Sequence, residues 1–183
     1  MYKKVEITAN LEWFYSDYVK AVYSVSRCIS NNFADYINYW KHNNFWFFDT
    51  PVPMEEIAAE ESLNLAGMTL FYYEVYENQY NDKTRHWEPI QFERIFPEPP
   101  NVIPPKEKRL EGFDVVSYSR STDPECSPLS CNGLCEEIPV NPYCLFDTFD
   151  ETKNALDRRV FTYPNCEPGP YRIFAVYTVL RFE

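Results

Sequence analysis

Apolar residues change period several times along this chain, and each change marks an element. Val5 and Ile7 alternate with polar neighbours, which predicts an opening strand near 2–9. From Glu12 the period lengthens. Phe14, Tyr15, Tyr18, Val22, Val25 and Ile29 fall at helical spacing and Asn31-Asn32 supplies a stop, so a helix is expected over 14–29. The stretch FADYINYWKHNNFWFFDTP predicts a short helix at 33–41 and a buried strand at 45–48, broken by Pro51 and Pro53. MEEIAAEESLNLAG then reads as an amphipathic helix with Met54, Ile57, Ala58 and Leu65 inward. Its Glu55 and Glu56 suit the positive start of a helix, and Gly67 ends it.

The second half reads more plainly. MTLFYYEVYENQY and HWEPIQFERIF are strand-like runs joined by the polar turn NDKT, which predicts a β-hairpin. Pro89 makes its second strand an edge, or delays that strand past the proline. Five prolines in the nine residues 97–105 give a stiff crossover within one domain. GFDVVSYS is a strand, and the cysteine-rich segment after it is a loop with at most one helical turn. In DTFDETKNALDRR, Thr148 and Glu151 form a capping-box pair, with Phe149 and Leu156 inward. PGPYRIFAVYTVLRF closes the chain as a long strand. Helices and strands mix without a βαβ rhythm, and no internal repeat occurs. The expected fold is therefore α+β: a single domain over 1–183, with a mostly antiparallel sheet and two to four helices packed on it.

Composition adds a core and a charge. Fifteen Tyr and fourteen Phe against four Gly give far more core-forming surface than a disordered chain carries. Twenty-eight acidic against seventeen basic residues leave a net charge of −11, which repels phosphate backbones and anionic lipids. No nucleic-acid or membrane partner is expected. The N-terminus has no apolar signal-like run and no 18-residue apolar stretch occurs, so the expected location is the cytoplasm.

Four of the six cysteines crowd into ECSPLSCNGLCEEIPVNPYC, at 125–144. Reduced thiols in the cytoplasm argue against a disulfide framework. The spacing Cys126-x4-Cys131-x3-Cys135-x8-Cys144, with Cys166 beyond, admits zinc but lacks the usual two-residue gap, and His42 and His86 lie far off. A nucleophilic Cys131 would have Glu125, Glu136 and Glu137 near it in sequence, charges that raise a thiol pKa. There is no nucleophile elbow and no phosphate loop. The favoured reading is that the thiols pack, reduced and metal-free, as small apolar residues. Pro128, Pro139 and Asn132-Gly133 shape the loop, Ser127 and Ser130 satisfy its backbone, and Leu129, Leu134 and Ile138 anchor it. No cofactor is expected.

The run SPLSCNGLCEEIPVNPYCLFDTFDETKNAL, followed by EPGPYRIFAVY, resembles a group of bacterial proteins of uncharacterised activity that carry a similar Ser-Pro-Leu-Ser-Cys-Asn element in their C-terminal half. The resemblance covers roughly 112–177 and implies that the loop serves folding or binding.

The expectation for function is a small acidic protein that binds another protein, of the bacterial inhibitor or immunity type, with a basic-surfaced partner. Glu55, Glu56, Glu60 and Glu61 form one acidic patch. Glu136, Glu137, Asp147, Asp150 and Glu151 form another. Exposed Tyr and Trp would supply the contacts that hold the complex. Ser127, Cys131 and Asn132 complete the candidate binding residues. Two alternatives stand beside this one: a thiol-dependent enzyme with its site around Cys131 and Asn132, and a zinc-stabilised interaction module.

Overall fold

The computed structural model describes residues 1–6, 18–28, 47–91, 101–119, 124–161 and 164–182, and for 3–6 the backbone alone. Its centre is one antiparallel sheet, formed by β1 (Tyr2–Glu6), β2 (Met68–Asn81), β3 (His86–Pro89), β4 (Glu107–Ser117) and β5 (Tyr171–Arg181). The order is β1-β2-β5-β4, with β3 paired to β2 beyond the end of β1. The last strand therefore lies in the middle of the sheet. Its sequence, YRIFAVYTVLR, is rich in the β-branched and aromatic residues that suit a strand paired on both edges. Two helices among the described residues, α1 (Val52–Glu60) and α2 (Phe149–Asp157), complete an α+β domain.

Alternation along β2 sends neighbouring rings into separate cores. Phe71 and Tyr73 pack with Phe174, Val176, Val116, Val25 and Phe47. Tyr72 joins Tyr2, Phe48, Met54 and Ile57 beneath α1. Tyr80, Val115, Ile173 and Tyr171 meet Ala155 and Leu156 of α2, together with Leu129, Leu134, Cys135, Cys144 and Phe146 of the cysteine-rich loop. Each large side chain buried this way contributes roughly 1.5–3 kcal/mol.

The local signals held where chemistry was specific. The Thr148–Glu151 capping box forms, with Glu151 N donating to Thr148 Oγ1 at 3.2 Å and Thr148 N donating to Glu151 Oε2 at 3.0 Å. The β2–β3 hairpin turns at 82–85, and β3 is an edge strand that ends at Pro89. The acidic helix starts as expected but stops at Glu60, short of Gly67. Leu63 N donates to Ala58 O at 2.9 Å and Ser62 takes a positive φ of 56°, which closes the helix nearly two turns early.

The helix expected over 14–29 is corrected in its described part, since residues 19–26 form no helix. Lys20 N and Ala21 N donate to Pro142 O, and Tyr23 N donates to Tyr143 O. Val22 and Val25, three apart, enter different cores, so their spacing served an irregular segment rather than one helix face. Phe14, Tyr15 and Ile29, the helix at 33–41 and most of the strand at 45–48 lie outside the described residues. Phe48 pairs with Tyr2 as an isolated bridge.

The outer edge of β4 is covered by the loop that follows it. Phe113 and Phe146 exchange backbone hydrogen bonds of 2.9 and 3.0 Å, and Ser117 exchanges bonds of the same length with Cys126 and Glu125. Between Phe113 and Ser117 the edge is thereby closed to pairing with another chain. Gly112 makes the crossing possible. At its φ of +144°, an added Cβ would meet Phe146 O at 2.6 Å and Leu145 Cβ at 2.8 Å. Gly112→Ala should thus cost about 3 kcal/mol or more, from backbone strain plus overpacking. Gly133→Ala, with a positive φ but open space around it, should cost only about 1–2 kcal/mol. Urea unfolding of the two variants checks this ordering.

Candidate functional site

The cysteine-rich loop folds around a buried carboxylate. Asp114 on β4 is fully buried, and its Oδ1 accepts from Ser127 Oγ at 2.6 Å. Its Oδ2 accepts from Ser24 Oγ at 2.9 Å and Val25 N at 2.8 Å. Ser130 Oγ donates onward to Ser24 Oγ at 3.2 Å, and Ser26 N donates to the same oxygen at 3.1 Å. One carboxylate therefore joins three segments: the irregular stretch 24–26, strand β4 and the loop at 127–130.

That knot brings three thiols together. Arg27 N donates to Pro124 O at 3.0 Å, which lays 27–28 beside the start of the loop. Cys28 Sγ sits 3.4 Å from Cys126 Sγ and 3.4 Å from Glu125 O. Cys131 is held by its amide, which donates to Ser127 O at 2.8 Å. The Sγ atoms of Cys28, Cys126 and Cys131 all lie within 4.8 Å of one another. Ser26 Oγ stands at the centre of the support. It donates to Glu125 O at 2.5 Å, accepts from Cys28 N at 3.1 Å and lies 3.2 Å from Cys131 Sγ.

Cys126 and Cys131 share a proton unequally. The hydrogen bond from Cys126 favours the Cys131 thiolate and lowers that thiol to about 6, against the opposing effect of burial; the Ser26 and Ser130 hydroxyls and the Ser127 backbone add to the lowering. Cys126 keeps its proton and is pushed up, first by that hydrogen bond and then by burial. In a second pair, Cys144 lowers its neighbour Cys135, and Cys144 itself is pushed up.

The packing reading holds for Cys135, Cys144 and Cys166, which are buried in the core under α2. It fails for Cys126 and Cys131, which are half-buried and face the exposed Cys28. Ser127 and Cys131 belong to the site. The half-buried Asn132 follows Cys131, and its Oδ1 is buried without a hydrogen-bond partner. Glu136 and Glu137 are exposed on the short 3-10 turn at Leu134–Glu136 and its end. Glu55, Glu56, Glu60 and Glu61 are exposed on α1 and its C-terminal cap, over a different core from the thiols. Ser24, Ser26, Cys28 and Asp114 carry no sequence signal at all, because Cys28 and Cys126 stand 98 positions apart. Among the described residues, the three thiols are the one group placed to hold a metal ion.

Comparison with known proteins returns no match: no family model, no curated protein and no solved structure aligns significantly with the chain. The reading of the site rests on its chemistry.

Burial raises the Asp114 carboxyl to about 7; the hydrogen bonds from Ser127, Val25 and Ser24 oppose this, and the charge at Cys131 adds to it. A carboxyl with a raised folded-state pKa binds its proton more tightly in the native state, so its contribution to stability is present at low pH. That contribution is lost as pH rises from about 4 to about 7. The loss should reach a few kcal/mol, since each tenfold gain in proton affinity on folding is worth about 1.4 kcal/mol. Unfolding free energies across this range should fall more steeply for the parent chain than for Asp114→Asn, which has no proton to lose.

Proposed function

We propose that the protein acts by binding another protein with a basic surface, in the manner of an inhibitor or immunity protein. The observation that carries this reading is the solvent face of α1. Met54, Ile57 and Ala58 turn inward, while Glu55, Glu56 and Glu60, with Glu61 at the cap, all face solvent, and the last turn of the helix carries no basic residue. Four carboxylates on one short helix project a negative field that speeds encounter with a cationic surface. Val52 at the helix start is 49% exposed, and so is Ile103. The Ile103 carbonyl accepts the hydroxyl of Tyr2, whose ring packs beneath α1. These two side chains supply apolar contact beside the charges.

Most of the tryptophans expected to supply aromatic contacts lie outside the described residues. Tyr2, Tyr73, Tyr118, Tyr171, Phe71 and Phe174 are fully buried, and Tyr18 is the one aromatic among the exposed large apolar residues described. Glu136, Glu137, Asp147, Asp150 and Glu151 are also exposed, and they form a second acidic region along the loop and the start of α2. No helix among the described residues is long and apolar enough to cross a membrane.

Exposed charges act chiefly on association, whereas buried contacts set dissociation. With a basic partner recovered from the native host, replacing Glu55, Glu56, Glu60 and Glu61 by Gln should slow association and flatten its salt dependence, with little change in dissociation. The variant should fold as the parent does, since exposed like charges add little stability. Surface plasmon resonance at low and moderate salt reads both rates. An unchanged on-rate at low salt would remove α1 from the interface.

A further inference from the structure

We propose that Cys28, Cys126 and Cys131 form a three-thiolate site for a soft divalent cation such as zinc. The claim is independent of the partner reading and rests on the geometry of the sulfurs. In a tetrahedral zinc site with Zn–S bonds of about 2.3 Å, neighbouring sulfurs stand about 3.8 Å apart. Here Cys28 and Cys126 are 3.4 Å apart and all three sulfurs fall within 4.8 Å. The same contact is far longer than the roughly 2.05 Å of a disulfide bond. Three sulfurs converging on one point fit one face of a tetrahedron, whereas a disulfide would use two and strand the third.

The surroundings are those of a site held in place before the ion arrives. Asp114 fixes the stretch leading to Cys28 and the turn carrying Cys131 through the same carboxylate. Cys126 is clamped against the edge of β4, where its carbonyl accepts from Ser117 N at 2.9 Å and its amide donates to Ser117 Oγ at 3.2 Å. Ser26 Oγ, 3.2 Å from Cys131 Sγ, is placed to orient that ligand from the outer shell. Binding would displace the remaining thiol protons to solvent, leaving three thiolates on the cation.

No histidine or carboxylate joins the three among the described residues, and Cys28 is exposed. Among the described residues the three sulfurs thus supply one face of a tetrahedron and leave the fourth position to a further donor. Cys28 also explains why the site closes only in the folded chain: it lies 98 positions from Cys126.

The test uses the full chain, reduced and freed of metal by chelator, titrated with zinc in a calorimeter and with cobalt(II) as an absorbing stand-in. The expected result is one ion per chain, with the intense sulfur-to-cobalt charge-transfer band and the visible bands of tetrahedral cobalt. Cys28→Ser, Cys126→Ser and Cys131→Ser should each weaken binding by at least about tenfold, the effect of losing even an outer-shell partner. Cys166→Ala, outside the cluster, should leave stoichiometry and affinity unchanged. Cys28→Ser is the deciding variant because Cys28 is exposed and its replacement leaves the core intact, which circular dichroism verifies. Native protein that takes up neither ion would overturn the proposal. So would a Cys28→Ser variant that binds as tightly as its parent, or a Cys28–Cys126 disulfide found by peptide mapping in place of metal after purification without reductant or chelator.

Discussion

Burying a carboxylate is costly unless its oxygens are satisfied, and Asp114 solves that problem with groups drawn from two distant parts of the chain. Ser24 and Val25 come from the N-terminal side, 90 and 89 positions away, and Ser127 comes from the loop beyond β4. Loss of Ser127 would leave Oδ1 unpaired in an apolar interior, and loss of the 24–25 stretch would do the same to Oδ2. The requirement therefore acts as a clasp. It holds the strap at 24–26 and an irregular loop to the edge of the sheet, where neither has regular secondary structure to hold it.

What the clasp positions is chemistry. The chain reaches Cys28 four residues after Ser24, and the loop reaches Cys131 four residues after Ser127. Cys126 is set between them by its backbone pairing with Ser117. A network of this kind behaves as a unit, each hydrogen bond polarising the next. The acidic face of α1 is built differently, on an ordinary amphipathic helix whose apolar side rests on Tyr2 and Tyr72. One region of the molecule is thus shaped for coordination and another for long-range attraction.

The sequence made some of this legible. The capping box of α2, the polar NDKT turn and the apolar run of β5 each act within a few residues, and each produced the element it signals. Val22 and Val25 misled because a three-residue spacing fits a helix face and also an irregular strap whose side chains enter two cores. The acidic helix ended early because its local chain found a positive-φ residue at Ser62 before the glycine. Of the site, Ser127 and Cys131 stood out through cysteine density alone. Ser24, Ser26, Cys28 and Asp114 could not, since their significance exists only once β4 has carried Asp114 to the loop. Long-range convergence of single residues leaves no periodicity to read.

Amide hydrogen exchange on Asp114→Ala tests this account most directly, because the amide of Val25 is bonded to the carboxylate itself. If the clasp governs the site, protection should collapse at Val25, Arg27 and Cys131 and persist at Tyr73 and Val176 in the central strands. Unchanged protection at Val25 and Cys131, with the sheet intact, would show that the loop and the strap hold their places without the buried carboxylate, and would contradict the account.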